Sequence, residues 1–166
     1  MKRLILPLVL AAAVAGFGAT AAAASTTVTF IHVDVPFTDT ETCGFELNGH
    51  VEGTFHVTDF FNRSGTLVKE ISAGPTFVTI TNPANGKTAQ TTSTFAQIIT
   101  FNPDGSINTI TQSGLILNFH MPGVGTIAMD VGTVRFDAEG NILFVGGPHQ
   151  FLAGDVAGFC NALADP

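Results

Sequence analysis

The sequence predicts an all-β fold, an antiparallel meander barrel of about eight strands followed by one short C-terminal helix. Residues 43–61 alternate apolar and polar side chains, the period of a strand with one dry face and one wet face. A five-residue turn signal, which combines an aromatic residue, an Asn or Asp and a glycine, begins at Phe61, Phe101 and Phe136. Turn signals at this frequency leave little room for helices.

Residues 1–24 are predicted to be a signal peptide. They start with the basic residues Lys2 and Arg3, continue with an apolar run over 4–18, and end in small residues before a cleavage point at Ser25. A retained membrane anchor is the alternative, but the apolar run is shorter than the ~20 residues that a membrane span needs. We therefore expect residues 25–166 to form a single β-barrel domain that is secreted or held in the cell envelope.

Composition limits the partners of this domain. Loss of Lys2 and Arg3 with the leader takes the formal net charge from −7 to −9, since the chain has 6 basic and 13 acidic residues. The remaining cations are too few to form a phosphate-binding surface, so nucleic acid and anionic membranes are not expected partners. The aromatic residues are 15 Phe with no Trp or Tyr. Rings without a polar group are expected in a core or around an apolar cavity.

The only two cysteines, Cys43 and Cys160, lie near opposite ends of the domain. In an exported chain this pair predicts one disulfide. The bond would close a loop of almost the whole domain, for which the chain-entropy estimate of stabilisation is about 4–5 kcal/mol. The alternative interpretation is two separate buried thiols.

The segments between turn signals predict the strands. Their expected bounds are 26–35, 43–61, 66–72, 76–81, 88–101, 106–120, 126–136 and 141–145. Short connections between them make a meander. An open meander would leave two unpaired edges, so a closed barrel is favoured over a two-sheet β-sandwich. In the segment 126–136 the apolar parity changes at Gly132, which predicts a β-bulge there.

One helix is predicted at the end of the chain. Its apolar residues stand at helical spacing and form a single stripe of Val156, Phe159, Cys160 and Leu163. Asp155 precedes the stripe and is the expected N-cap. Because Cys160 belongs to the stripe, it is expected to face the body of the protein, where a partner thiol can reach it.

The long second strand also predicts a binding surface. Gly49 and Gly53 lie on its dry face and would widen the lumen of a barrel. The large side chains on the same face are Phe45, Leu47, Val51, Phe55 and Val57. We expect these five residues to line a cavity that holds a small apolar molecule.

Two pairs of ionisable residues have the same spacing on neighbouring strands. His50 and Glu52 share a strand face with their Cα atoms ~6.5 Å apart, which suits half of a metal site or a base with its orienting group. His32 and Asp34 repeat that arrangement on the first strand. If the two strands pair, the four groups gather. The alternative is an ordinary solvated sheet face.

Three further residues are weaker candidates. His120 and His149 lie beside turns, where they either serve a site at a barrel mouth or face solvent. Asp130 lies between apolar residues, and an outward side chain is favoured over a buried carboxylate paired with Arg135. The chain has neither a nucleophile elbow nor a complete phosphate loop. No metal and no cofactor are predicted.

Several features together resemble small exported β-rich proteins of high-GC bacteria. They are the leader, Cys43 before a long alternating strand, the F-N-P-D-G-S turn at 101–106, and G-P-H-x-x-L-A-G-D at 147–155 before a helix with Cys160. That group has no assigned activity, and the shared motifs are turn and cap signals, so the resemblance implies no catalytic residue. Closed meander barrels in general look like carriers of small apolar molecules or barrel cyclases.

Three hypotheses about function remain, in descending order. The first is a non-catalytic module that binds a small apolar ligand on the dry face. The second is an extracellular or envelope protein that acts through its surface in structural or protein contacts. The third is a hydrolase- or cyclase-type enzyme that uses the histidines and carboxylates at the barrel mouth. The sequence leaves the oligomeric state open.

Overall fold

The computed structural model of the protein describes residues 24–164. The predicted signal peptide therefore lies outside the described residues, apart from Ala24. Seven strands and one helix follow in the order β1 (Ser25–Asp39), β2 (Leu47–Phe61), β3 (Leu67–Thr81), β4 (Thr88–Phe101), β5 (Ile107–Met121), β6 (Gly125–Asp137), β7 (Ile142–Gly146) and α1 (Ala157–Leu163). Across residues 24–164, no helix is both long and apolar enough to cross a bilayer.

The strands form one antiparallel meander sheet in the order β1 to β7, which confirms the predicted all-β class and connectivity. The sheet is open, since in the described part of the chain β1 pairs only with β2, and β7 only with β6. An odd number of up-and-down strands gives the first and last strands the same direction. Antiparallel pairing therefore cannot join the two edges, and the expected closed ring does not form.

The strand count is seven rather than eight because two predicted strands, 66–72 and 76–81, are one strand. The sequence Ala73-Gly74-Pro75 suggests a turn, but here it bends β3 without ending it. A Cβ on Gly74 would lie 2.2 Å from the Thr54 carbonyl oxygen, so only glycine allows this approach of β2 and β3. β4 pairs with β3 through the bend, which holds it extended.

β1 is longer than predicted, because Pro36 does not end it. β1 is an edge strand, and the missing N–H of a proline costs little where no neighbour accepts a bond. The strand ends instead at Asp39, whose carboxylate accepts hydrogen bonds from the Thr42 hydroxyl and the backbone N–H groups of Glu41 and Thr42. The bonds from Thr42 hold the pKa of Asp39 below its usual value. This turn delivers the chain to Cys43.

The repeated hairpin signal is confirmed at all three positions. The turn glycines have positive φ angles of 79°, 87° and 86° at Gly65, Gly105 and Gly140. Asn62 and Asp137 accept backbone N–H bonds across their turns, as expected. In the middle hairpin the acceptor is not the expected Asn102 but the Asp104 carboxylate, which accepts the N–H of Ser106 at 2.9 Å.

The predicted bulge at Gly132 is wrong, because Gly132 pairs with Gly114 in regular register and the two register shifts of the β5–β6 ladder lie elsewhere. The β5–β6 register shifts between Leu115 and Leu117, so the extra residue is in β5. The second shift, between Phe119 and His120, leaves Ile127 of β6 as an extra residue. From Ala128 onward β6 keeps one parity and buries Ala128, Asp130 and Val134. The change in apolar parity that the sequence places on β6 therefore reflects partly exposed residues on its other face.

The hydrophobic core lies between α1 and one face of the sheet, which we call the inner face. Its buried residues are Leu47, Ile80, Ala89, Phe119, Met121, Ala128, Phe159 and Leu163. The Phe159 ring lies 5.0 Å from that of Phe119 and 5.1 Å from that of Phe151, measured between centroids. This aromatic cluster fills the half of the inner face that α1 covers.

α1 is attached at its middle and at its C-terminal end to loops beside the sheet, through contacts distant in sequence. The predicted disulfide is confirmed, with the Cα atoms of Cys43 and Cys160 5.3 Å apart. At the C-terminal end, the Leu163 carbonyl accepts hydrogen bonds from Asn82 at 2.9 Å and Asn85 at 3.0 Å. The expected N-cap at Asp155 is wrong: Val156 occupies that position, and no side chain caps the helix.

Candidate functional site

A groove occupies the half of the inner face that α1 leaves uncovered. Its volume is about 230 Å³, and its lining residues are Ile31, Phe55, Val57, Glu70, Ser72, Phe95 and Gln97. The groove runs across β1 to β4, and every one of these side chains belongs to a strand held by backbone pairing on at least one side. The site is thus built on the rigid part of the fold.

Aromatic rings and small residues shape the wall of the groove. The Phe55 and Phe95 rings meet edge to face, with centroids 6.4 Å apart. Phe95 pairs with Gly74 on one side and Gly114 on the other, so no side chain from β3 or β5 flanks its ring at that level. Rings between glycines leave open volume where larger residues would fill the sheet face.

Carboxylates and amides lie at the far end of the groove from α1. Glu70 pairs directly with Asp59 across β2 and β3, on the same face as Val57. Asp59 Oδ2 accepts a bond of 3.4 Å from the Thr27 hydroxyl, while its buried Oδ1 has no hydrogen-bond partner in residues 24–164. Burial first, and then the Asp59 charge, raise the pKa of Glu70. The groove therefore joins apolar walls to a carboxyl group held nearer to its neutral form.

Neutralising Glu70 is expected to stabilise the protein at neutral pH. The folded chain keeps the Glu70 proton to a higher pH than the unfolded chain does, because the folded pKa is raised. The stability that comes from a protonated Glu70 is therefore fully present below the usual pKa of 4.5 and is lost as the pH rises through the pKa of the folded protein. Removing the repulsion between two carboxylates that are directly opposite on paired strands should raise the free energy of unfolding by roughly 0.2–1 kcal/mol. In urea unfolding, Glu70→Gln should exceed the wild type by that amount at pH 7, and the gap should shrink at pH 3.5. Glu139→Gln, in an exposed turn, should show no such trend.

The predicted ligand-binding residues divide between the groove and other places. Phe55 and Val57 line the groove. Leu47 is buried under α1, and Phe45 packs beside that core and lines a separate depression of about 500 Å³. Val51 is partly buried between the two regions. One sheet face thus serves two purposes, because the position of α1 decides which half is filled.

Five of the lining residues were not predicted. Ile31, Glu70, Ser72, Phe95 and Gln97 come from strands β1, β3 and β4. The alternation of each strand identifies its faces, but only the strand register brings these faces to one place. Phe95 carried a usable signal, since a large ring directly after a run of Thr and Ser in a strand indicates an inward position.

Three of the predicted ionisable groups meet on the opposite side of the sheet, which we call the outer face. Asp34 and Glu52 are directly paired on β1 and β2, and His50 lies between them. His50 Nε2 is 2.7 Å from Asp34 Oδ1, and His50 Nδ1 is 3.3 Å from Glu52 Oε1. The three side chains are 42–61% exposed. The predicted convergence of the two strands is confirmed, with the groups pointing away from the core.

His32, the fourth group of that prediction, lies apart from the cluster. Its Nδ1 contacts the Thr54 hydroxyl at 3.2 Å, two pairs further along the ladder. His56, on the same face of β2, stacks on the Phe30 ring with centroids 4.9 Å apart. Neither histidine contacts the cluster in residues 24–164, so the cluster consists of Asp34, His50 and Glu52.

The remaining candidates do not come together. His120 is exposed at the end of β5, and its Nδ1 lies 3.2 Å from the Thr126 hydroxyl oxygen. His149 is 8% exposed, so it is buried rather than solvent-facing, and its Nε2 lies 3.3 Å from the Gly146 carbonyl oxygen.

The favoured outward position of Asp130 is wrong. Its side chain is 4% exposed and accepts the Phe151 N–H at 2.9 Å. Arg135 is exposed on the other parity of β6 and cannot be the partner. A backbone N–H can satisfy a buried carboxylate, and it comes from a segment that no local pattern in β6 reveals.

Comparison with protein-family models, with curated proteins and with solved structures finds no match to this chain. Function therefore has to be inferred from the groove and the outer-face cluster themselves.

Proposed function

We propose that the protein is an exported, non-catalytic binding protein whose groove holds a small, mostly apolar molecule with one polar group. The observation that carries this proposal is the composition of the groove, in which Phe55, Phe95 and Val57 face the polar side chains of Ser72 and Gln97. Ligand sites combine an apolar lining with a few convergent polar groups in this way. A volume of about 230 Å³ limits the ligand to a small molecule or one end of a longer one.

Export is supported by two features. The Cys43–Cys160 bond suits an oxidising compartment, and disulfides are rare in reducing ones. The basic and apolar N-terminal segment has the composition of a leader. A carrier secreted or retained in the cell envelope would meet small apolar molecules there.

A neutral dye tests the groove. N-phenyl-1-naphthylamine, an uncharged probe of suitable size, is expected to bind with saturable fluorescence enhancement at one molecule per chain. Ser72→Phe places a ring in the groove without removing a core side chain, so it should weaken dye binding about tenfold or more, a difference of about 1.4 kcal/mol. Thr94→Phe adds the same ring on the outer face and should leave binding unchanged.

The edge strands favour a second candidate, an envelope protein that acts through surface contacts. β1 and β7 carry exposed large apolar side chains, among them Phe30 at 71% and Leu143 at 56%. Exposed apolar edges pair readily with other chains. The dye experiment separates the two candidates. Binding that survives Ser72→Phe would place the dye on these edges and would reject the groove as the ligand site.

An enzyme remains the least supported candidate. Asp34, His50 and Glu52 are within contact distance, but none of them lines the groove. A reaction on a ligand held in the groove would need at least one such group beside it. The ionisable group that does line the groove is Glu70, whose expected role is to bind the polar end of the ligand.

A further inference from the structure

We infer that Asp34, His50 and Glu52 form a binding site for one divalent transition-metal ion of the zinc class on the outer face. Each residue offers one ligand atom, and the three atoms lie within 4.8 Å of one another. The donors are one imidazole nitrogen and two carboxylate oxygens, a set that such ions use in proteins. From the sequence, His50 and Glu52 form half of a site, and Asp34 joins them only if the first two strands pair.

Strand pairing supplies the third ligand and places all three in a fixed frame. β1 and β2 pair without a register shift from Ser25 opposite Phe61 to Asp39 opposite Leu47. Asp34 is directly opposite Glu52 in the middle of that ladder, and His50 is two residues from Glu52 on the same face. The β1–β2 ladder continues in both directions along the strands from the site, so backbone hydrogen bonds already fix the positions of the three ligand residues. Binding of an ion would therefore require little further ordering of the backbone.

Charge also favours a cation at this point. Two carboxylates directly opposite each other on paired strands repel, and a positive group between them removes the repulsion. The site lies in a chain with a formal net charge of −7, which attracts cations over longer distances. A divalent ion bound to one nitrogen of His50 would neutralise both carboxylates at once.

The distances are compatible with coordination. Ligand atoms at ~2.0–2.1 Å from a tetrahedral zinc ion are ~3.3 Å from one another. The contact of His50 Nε2 with Asp34, at 2.7 Å, is near that spacing, whereas the 3.3 Å contact with Glu52 is made by the other ring nitrogen, Nδ1. One ligand atom from each residue lies within 4.8 Å of the other two. Since one imidazole nitrogen binds at a time, rotation of one exposed carboxylate completes the set of three. Water would fill the remaining position, because the side chains are open to solvent.

The ion would have a structural consequence at the edge of the sheet. β1 is held by β2 alone, and its apolar side chains are largely exposed. A metal that joins Asp34 of β1 to His50 and Glu52 of β2 adds a link between these strands. Zinc binding should therefore raise the melting temperature, since a ligand specific for the folded state stabilises it. The site is on the opposite face from the groove, so either proposal can fail without the other.

Calorimetric titration with zinc tests the site. The protein should carry no histidine tag, have its disulfide intact, and be freed of metal with a chelator and then desalted. We expect one zinc ion per chain. His50→Asn, Asp34→Asn and Glu52→Gln should each weaken binding about tenfold or more, since even groups that only support metal ligands contribute 10- to 100-fold. Because the three side chains are exposed, the substitutions should leave the fold intact, which far-UV circular dichroism checks.

His56→Asn and His32→Asn are the matched controls. Both remove an imidazole from the same sheet face, next to the cluster but outside it. They should leave the zinc affinity unchanged. The proposal is overturned if no saturable site is found at submillimolar zinc, if the three cluster variants bind as the wild type does, or if the controls lose as much affinity as the cluster variants.

Discussion

Replacing Phe159 with alanine is expected to lower the free energy of unfolding by about 3–5 kcal/mol. Phe159 is 1% exposed and packs against the rings of Phe119 and Phe151. α1 has only seven residues, too few to be helical without tertiary contacts. Removal of this ring therefore creates a cavity and also loosens the helix that covers half of the inner face. Urea unfolding followed by circular dichroism measures the change.

Phe77→Ala is the matched control for this prediction. Phe77 is 52% exposed on the outer face, so its loss should change stability by about 0.5 kcal/mol or less. Equal effects of the two substitutions would show that α1 does not close the core. If Phe159→Ala also lost the binding of the dye, the core under α1 would be shown to maintain the shape of the groove.

Removal of the disulfide is expected to cost up to about 4–5 kcal/mol. Cys43 and Cys160 are separated by 117 residues, and a cross-link across so long a loop restricts the unfolded chain strongly. Cys43→Ser, Cys160→Ser and the double variant should lose the same stability, since each breaks the same bond. The urea midpoint of the wild type with and without reductant gives an independent measurement.

Loss of the disulfide leaves the other contacts that hold α1 in place. Asn82 and Asn85 still donate to Leu163, and Phe159 remains packed. We therefore expect the reduced protein to keep its fold in water but to unfold at lower urea. An unchanged midpoint after reduction would contradict the entropic argument. Single cysteine variants that differ from each other would point instead to damage at one of the two positions.

The long repeats of alternation and the turn signals made the strands predictable. Residues 43–61 show their faces directly, and Gly65, Gly105 and Gly140 mark their turns with positive φ. Both signals are local, because side chains alternate along a strand and glycine has no steric penalty at positive φ. The errors occurred where a neighbour overrides the local signal. Pro36 is tolerated because β1 is at an edge, and Gly74-Pro75 continues a strand because β4 pairs through it.

The candidate site was only partly predictable for the same reason. The alternation of β2 predicts that Phe55, Val57 and Leu47 point to the same face of the sheet. Phe55 and Val57 line the groove there, whereas Leu47 is covered by α1. The cluster of Asp34, His50 and Glu52 depends on the register of β1 against β2. A register shift of one residue would move Asp34 to the other face of the sheet and separate the three groups. Glu70 gave no local sign of its contact with Asp59.

By itself, the sequence determined the all-β class, the meander, the pairing of the two cysteines and the direction of each side chain along a strand. These properties depend on periodicity of two, on turn chemistry and on there being only one possible thiol partner. Tertiary structure alone decided that the sheet stays open, which half of its inner face α1 fills, and which ionisable groups meet. Those outcomes depend on the number and register of strands and on contacts between residues far apart in the chain, and no local pattern encodes them.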